Sequence, residues 1–185
     1  MDTPTHALIP VIAYGLMRQE VLISGTRSEK LAVVRTAVIV GLVGALPDMV
    51  DPHVTLAERL RSWSHCLTTW VGFSALLWLI SLIQPRWLSA KFALGLSLTY
   101  LSHLFGDAIA GGIGWSYPLS DATIGDYYVH PRWWIPLNYV CVIGTYIVFR
   151  VMPMWSRIRR ERSVMDERRS RVLEESRMPP PSAGA

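Results

Sequence analysis

The chain has 185 residues, of which 51% are hydrophobic, with two cysteines and a formal net charge of +4. This composition excludes a disordered chain, a collagen-like chain and a disulfide-stabilised scaffold. The length fits one folded domain. Residues 156–185 contain eight arginines and no aromatic residue, whereas all eight tryptophans precede them. We therefore predict a membrane-embedded helical domain over 1–155 and an Arg-rich cytoplasmic tail over 156–185.

Apolar segments of 11 to 19 residues predict the helices. In chain order they are 7–17, 31–46, 66–83, 92–110 and 133–150. Since a membrane span needs about 20 mostly apolar residues, we predict an all-α, polytopic membrane helical bundle with four to five membrane helices. The first segment is the shortest, and it either dips into the membrane or continues to Ile23 as a weak span. A soluble bundle with unusually apolar helices is the alternative, and the segment lengths disfavour it.

Glycine and proline mark the predicted ends of these helices. Gly44, Pro47 and Pro52 predict the end of the second helix and a loop after it. Gly111 and the two glycines that soon follow it predict the end of the fourth helix. The stretch from there to His130 is then a long outer loop, and loops of that length are often functional.

Basic residues are distributed unevenly around the predicted spans. With five spans and a cytoplasmic tail, segments 18–35, 84–91 and 150–185 hold 15 of the 18 Lys and Arg residues. Cytoplasmic segments are enriched in Lys and Arg, so we expect a cytoplasmic C-terminus and an extracytoplasmic N-terminus. The tail is either a helix lying on anionic lipid headgroups or simply a solvated segment. Its expected partner is anionic lipid or a cytoplasmic protein. Nucleic acid is not an expected partner, because the tail has no aromatic residues to stack on bases.

Six residues with metal-binding side chains fall at the outer membrane face in this topology. They are His6, Asp48, Asp51, His65, His103 and Asp107. His103 and Asp107 are spaced i, i+4 and share one helix face. An ionisable residue inside a membrane helix costs about 2.5–3.5 kcal/mol on insertion scales, so it usually has a partner and a function. Imidazole and carboxylate ligands suit zinc, manganese or iron, and the number of candidates allows one ion or two.

Five short motifs containing these residues occur in order along residues 3–150. They are Thr5-His6, Gly44-Ala45-Leu46-Pro47-Asp48 with Asp51, Arg61-Ser62-Trp63-Ser64-His65-Cys66, His103-Leu104-Phe105-Gly106-Asp107 and Pro118-Leu119-Ser120. In this order they resemble the YdjM-type family of membrane-bound proteins, which is described as one of metal-dependent hydrolases. Leu60 stands where that family often has a histidine. The ligand order is also similar to that of the soluble zinc-dependent phospholipase C superfamily.

The resemblance implies a set of functional residues. The metal ligands would be His6, Asp48, His65, His103 and Asp107. Asp51 would be the catalytic base or a group that supports a ligand. Arg61 and Ser120 would bind the substrate, and Trp115 would line the mouth of the site or anchor the protein at the interface. The implied cofactor is one or two divalent ions, zinc first, with manganese or iron as alternatives.

The implied function is hydrolysis of a lipid or lipid-linked phosphoester or ester at the bacterial inner membrane. One alternative is a non-catalytic component of a membrane complex, in which a metal or a His–Asp network holds the helices together. A second alternative is a transporter or proton relay. The sequence disfavours it, because the ionisable residues stop at one membrane face and a continuous path would need them throughout.

Overall fold

The computed structural model describes residues 3–52, 55–120 and 122–177. The described chain is helical, and its extended structure is limited to two antiparallel bridges, Ala110 with Tyr127 and Ile113 with Ile124. The predicted all-α class is therefore confirmed. The α-helices are α1 (Thr3–Met17), α2 (Gln19–Ser24), α3 (Arg27–Val50), α4 (Leu56–Arg59), α5 (Leu67–Ile83), α6 (Ala90–Ile109), α7 (Trp134–Tyr146) and α8 (Met152–Arg177). Two 3-10 turns (Trp63–His65 and Pro131–Trp133) and a π-helical turn (Ile147–Val151) complete the secondary structure.

Several of these helices are long and apolar enough to cross a membrane. They are Arg27–Val50, Ala90–Ile109 and the continuous helical stretch Pro131–Arg171, and α5 is a shorter apolar helix. Large apolar side chains on α5, such as Trp78 and Leu82, are more than half exposed. Such a surface is compatible with lipid around the bundle.

Helices α1, α3 and α6 form the centre of the bundle. Helix α1 packs against α3, α6 and α7, and α6 also packs against α3 and α5. The backbones of α1 and α3 approach closely at Gly44, where a Cβ atom would lie 2.5 Å from the carbonyl oxygen of His6. Small residues permit such contacts between membrane helices. This contact places the start of α1 beside the end of α3.

The second predicted helix is longer than the sequence indicated. The prediction that Gly44 and Pro47 end this helix is wrong, because α3 continues to Val50. Pro47 lies buried inside the helix, and its carbonyl oxygen accepts hydrogen bonds from the Asp51 amide and the Ser64 hydroxyl. The hydrogen bond that Pro47 removes is the one to the carbonyl of Val43, four residues earlier, and membrane helices tolerate such a loss. As a result Asp48 stands on a helix and not on a loop.

A π-helical turn joins α7 to α8. In a π turn the carbonyl of Val148 faces the nitrogen of residue 153, which is a proline and has no hydrogen to donate. The Nε2 atom of Gln19 donates to this carbonyl at 2.9 Å. The helix then continues through position 155 to Arg177, so the first part of the predicted tail is helical.

We predict that the helix contact at Gly44 tolerates no added side-chain atom. Gly44→Ala should lower the free energy of unfolding by about 1–3 kcal/mol, because its methyl group overpacks the backbone of α1. Gly95→Ala on α6 is the matched control, since a Cβ there would meet open space. The control should be neutral or stabilising, because alanine is the better helix former. Unfolding in mixed micelles measures both, and equal stability of the two variants would contradict the prediction.

Candidate metal centre

Four ionisable side chains from three separate segments converge at one end of the bundle. Asp48 lies in the last turn of α3, His65 in a 3-10 turn, and His103 and Asp107 in the last turns of α6. One potential ligand atom from each lies within 4.8 Å of every other. Three of these side chains are at most 1% exposed, and Asp48 is 14% exposed. The four residues, called here the His–Asp centre, could therefore hold a metal ion.

Five of the six distances between candidate ligand atoms of the His–Asp centre are close to those of a tetrahedral ion site. The Nε2 atom of His65 lies 3.1 Å from both Nε2 of His103 and Oδ1 of Asp48. Oδ2 of Asp107 lies 3.3 Å from Nε2 of His65 and 3.1 Å from Nε2 of His103. Oδ1 of Asp48 is 3.5 Å from Nε2 of His103. Ligands about 2.0–2.1 Å from a central zinc ion form a tetrahedron with edges of about 3.3–3.4 Å, so these separations fit such an ion.

The hydrogen bond of His103 to the backbone indicates its tautomer. Its Nδ1 atom lies 2.7 Å from the carbonyl oxygen of Gly44. A carbonyl only accepts, so Nδ1 carries the hydrogen and donates it. In the neutral ring, Nε2 then presents its lone pair to the His–Asp centre. The close packing of α1 on α3 at Gly44 thus lies directly behind a candidate ligand.

Two serine hydroxyls orient His65 in the same way. Ser62 Oγ donates to Oδ2 of Asp51 at 2.7 Å, and Ser64 Oγ donates to the Pro47 carbonyl at 2.8 Å. Both hydroxyl hydrogens are thereby used. Nδ1 of His65 lies 3.0 Å from Ser62 Oγ and 2.9 Å from Ser64 Oγ, so it donates to these oxygens. Its Nε2 lone pair therefore also faces the His–Asp centre.

The donor set fits a divalent cation on chemical grounds. Two imidazole lone pairs and two carboxylates face one another at distances at which, without a cation or protons between them, they repel. Histidine ligands in metal sites commonly donate their second ring nitrogen to a carbonyl or an oxygen of this kind. Both histidines meet that condition. The residues around the four candidate ligands therefore fit a metal site, as the ligands themselves do.

His6 lies beside the His–Asp centre and contacts it through a different oxygen. Its Nε2 atom is 3.1 Å from Oδ1 of Asp107. Its ring stacks on the ring of His103, with centroids 3.9 Å apart. Thr3 and Thr5 anchor this end of α1, since Thr3 donates to Oδ2 of Asp48 at 2.6 Å and Thr5 donates to Oδ1 of Asn138 at 2.5 Å. The first helix therefore contributes to the site although it is the shortest apolar segment.

The sequence analysis missed a buried cation at this site. Arg59 is only 2% exposed, and its Nη1 atom lies 2.7 Å from Oδ1 of Asp107. Its Nη2 atom donates to the carbonyl oxygens of Asp107, Ala110 and Gly112 at 3.3–3.4 Å. Arg59 and Arg61 are two residues apart, and no local sequence pattern shows which of the two is buried. The motif directed attention to Arg61, which is exposed.

The remaining predicted site residues lie in other environments. Asp51 contacts the site through Ser62, which in turn contacts His65. Ser120 is exposed, and its hydroxyl accepts from the Ala122 amide. Trp115 is half-buried and packs edge-on against Phe105.

A further residue that the sequence analysis missed is Tyr100, whose hydroxyl donates to the Ser64 carbonyl at 2.6 Å and so helps to fix the turn that carries His65.

The fold and this site define a helical membrane protein with a buried His–Asp centre that could hold a metal ion. The sequence profile of the YdjM inner membrane protein family matches residues 1–174. The chain belongs to this family, so the family resemblance stated above is confirmed. No curated protein and no solved structure matches the chain. The similarity to the zinc-dependent phospholipase C superfamily stays a prediction.

We predict that Arg59 stabilises the buried carboxylate of Asp107. Arg59→Met should lower the free energy of unfolding by about 3–5 kcal/mol, because it removes the cation from a buried ion pair. Arg61→Met is the matched control on the same segment, and as an exposed substitution it should change stability by no more than about 0.5 kcal/mol. Unfolding in mixed micelles compares the two. An equally small effect at Arg59 would show that Asp107 does not depend on this cation.

Proposed function

We propose that this chain is a membrane-embedded, metal-dependent hydrolase that acts on a lipid or lipid-linked phosphoester or ester. The observation that carries the proposal is the convergence of two imidazole lone pairs and two carboxylates within 4.8 Å. When bound, a divalent cation supplies Lewis acidity, which polarises an ester or phosphoryl oxygen and makes water a stronger acid. The nitrogen and oxygen donors favour zinc, with manganese or iron as alternatives.

One ion is the stoichiometry that the contacts favour. Asp107 directs Oδ2 toward the His–Asp centre, whereas its Oδ1 atom already accepts from the guanidinium of Arg59. A second cation at Oδ1 would lie close to that guanidinium and be repelled by it. We therefore assign His6, which also contacts Oδ1, to orienting Asp107 and His103 in the one-ion form. It becomes a ligand only if a second ion binds.

The other residues of the site hold the ligands in place. The hydroxyls of Ser62 and Ser64 keep the lone pair of His65 aimed at the His–Asp centre, and Asp51 accepts from Ser62. We therefore assign Asp51 to positioning His65 through Ser62, in place of the role of catalytic base. Asp48 is the most exposed of the four ligands, so we expect substrate to approach from its side.

The position of the site supports a substrate at the membrane surface. The ligands occupy the ends of apolar helices, which is the depth of the lipid headgroups in a spanning arrangement. Large side chains near this end are exposed, among them Trp63, Leu119 and Trp133. Aromatic residues are enriched at such interfaces. The excess of Lys and Arg at the other end supports an extracytoplasmic site and a cytoplasmic C-terminus.

A non-catalytic role is the second candidate. The side chains of the site already satisfy one another in part, since Asp107 contacts Arg59, His6 and both histidines of the His–Asp centre. Such a network could hold α1, α3 and α6 together without turnover. Metal binding and hydrolysis are therefore tested separately.

We predict that the purified protein binds about one equivalent of a divalent transition metal. Replacing two ligands, in the double variant Asp48→Asn with His103→Asn, should reduce bound metal to less than about a tenth, because the two ligands that remain are fewer than the three or four protein ligands of a stable site. Asparagine at position 103 keeps a donor for the Gly44 carbonyl. His130→Ala is the control, since His130 is exposed. Elemental mass spectrometry after reconstitution and buffer exchange measures the content, and a metal-free wild type would overturn the metallohydrolase proposal.

We further predict metal-dependent hydrolysis of esters presented in micelles. The test substrates cover three classes of ester. Phosphatidic acid is a phosphomonoester, phosphatidylglycerol and bis-p-nitrophenyl phosphate are phosphodiesters, and p-nitrophenyl butyrate is a carboxyl ester. Turnover of at least one should disappear with a chelator and return with metal. Asp48→Asn should lower it by about a hundredfold or more, whereas His130→Ala should stay within about twofold of the wild type. Bound metal without turnover of any class would favour the structural role.

A further inference from the structure

A cleft lies at the opposite end of the bundle from the His–Asp centre. Lys30 in the first turn of α3 and Asp48 in its last turn are 18 residues apart, which is about 27 Å along a helix. The cleft has a volume of about 490 Å³ and lies between α2, the start of α3 and the helical stretch around the π turn. It shares no residue with the candidate metal centre.

The wall of this cleft is both cationic and apolar. Lys30, Arg150 and Arg157 line it, together with one carboxylate, Glu161. Its formal charge is therefore +2. Its apolar lining consists of Leu22, Val34, Phe149, Pro153, Met154 and Ile158. A wall of this kind fits an anionic group that is attached to an apolar chain.

Two of the cations are held close together by the backbone of α2. Arg157 donates from Nε to the carbonyl oxygen of Ile23 at 3.1 Å and from Nη2 to that of Leu22 at 3.2 Å. Lys30 Nζ donates to the same Ile23 carbonyl at 3.5 Å. Like charges that converge in this way repel each other, and an anion between them would relieve the repulsion. The two cations are thus ordered before any ligand binds.

The third cation comes from the π-helical turn. Arg150 and Phe149 both lie in this turn, and Gln19 fixes it by donating to the Val148 carbonyl. π turns inside α-helices frequently occur at functional sites. Here the turn and Pro153 set the wall of the cleft beside α2 and α3. The irregular backbone therefore contributes Phe149 and Arg150 to the wall of the cleft.

We propose that this cleft binds the phosphate group of an anionic amphiphile. Arginine and lysine are the usual phosphate donors in proteins, and basic pockets between membrane helices on the cytoplasmic side bind anionic headgroups. The cleft lies where the apolar part of α3 begins, so a phospholipid could place its phosphate on the cations and its chains along the apolar wall. The site is independent of the proposed hydrolase activity.

The test is lipid binding by the full-length protein in neutral detergent. Phosphatidylglycerol is titrated against the wild type, the variant Lys30→Gln with Arg150→Gln, and a control with Arg160→Gln and Arg162→Gln. The control removes the same charge from exposed positions of α8 outside the cleft lining. The cleft variant should bind about 30-fold more weakly, because two cation–phosphate contacts are lost, and the control should change by less than about threefold. Equal weakening in both would mean general electrostatic attraction and would overturn the proposal.

Two further arms identify the source of the phosphate. Phosphatidylcholine with the same chains should bind at least about tenfold more weakly than phosphatidylglycerol, and equal binding would overturn the role of the cations. Inorganic phosphate should compete with phosphatidylglycerol at millimolar concentration. If inorganic phosphate binds and neither lipid does, the ligand of the cleft is a free anion and the proposal of an amphiphile is overturned. If neither inorganic phosphate nor lipid binds, the proposal fails.

A gain-of-affinity variant covers the case in which the cleft variant does not fold. Glu161→Gln removes the carboxylate from the cleft wall at an exposed position. It should bind phosphatidylglycerol about fivefold more tightly, because a repulsive charge is lost. Size-exclusion chromatography and circular dichroism establish that each variant is folded. An unchanged or weaker affinity in folded Glu161→Gln would contradict the proposal.

Discussion

The buried carboxylate of Asp107 is the constraint on which the structure depends. It is 1% exposed and lies within 3.3 Å of a guanidinium nitrogen of Arg59 and ring nitrogens of His6, His65 and His103. A carboxylate buried without such partners would be prohibitively costly. Because the partners come from α1, from the segment before α5 and from α6 itself, satisfying one side chain fixes the relative positions of these elements.

The two ends of the bundle differ in the side chains that they bury. The polar contacts gather at one end, apolar side chains such as Val40 and Leu96 pack in the middle, and the cations of the cleft lie at the other end. The arrangement matches a membrane, where burial of polar groups is tolerated only when they satisfy one another. The two proposed functions, hydrolysis at the His–Asp centre and phosphate binding at the cleft, therefore involve no shared residue.

Much of the fold and the candidate ligands could be predicted from local patterns. Asp48, His65, His103 and Asp107 were singled out from ligand type, apolar surroundings and motif order, and the structure brings them together. The helix end is predicted wrongly, because Pro47 removes only its own bond to the Val43 carbonyl and the helical bonds resume after it, as the bond from the Asp51 amide to the Pro47 carbonyl shows. The Ser64 hydroxyl also donates to the Pro47 carbonyl, and no pattern within the helix encodes this contact from a later segment.

The sequence by itself determined the class of the protein. The length of the apolar segments and the distribution of Lys and Arg decide membrane insertion, and both are properties of the chain before it folds. The sequence also determined which residue types could bind a metal. Only the tertiary structure decided which nitrogen of His103 faces the site, which oxygen of Asp107 pairs with a cation, and that Arg59 is buried. Those outcomes depend on the direction of hydrogen bonds and on desolvation, both set by groups distant in the chain that meet only after folding.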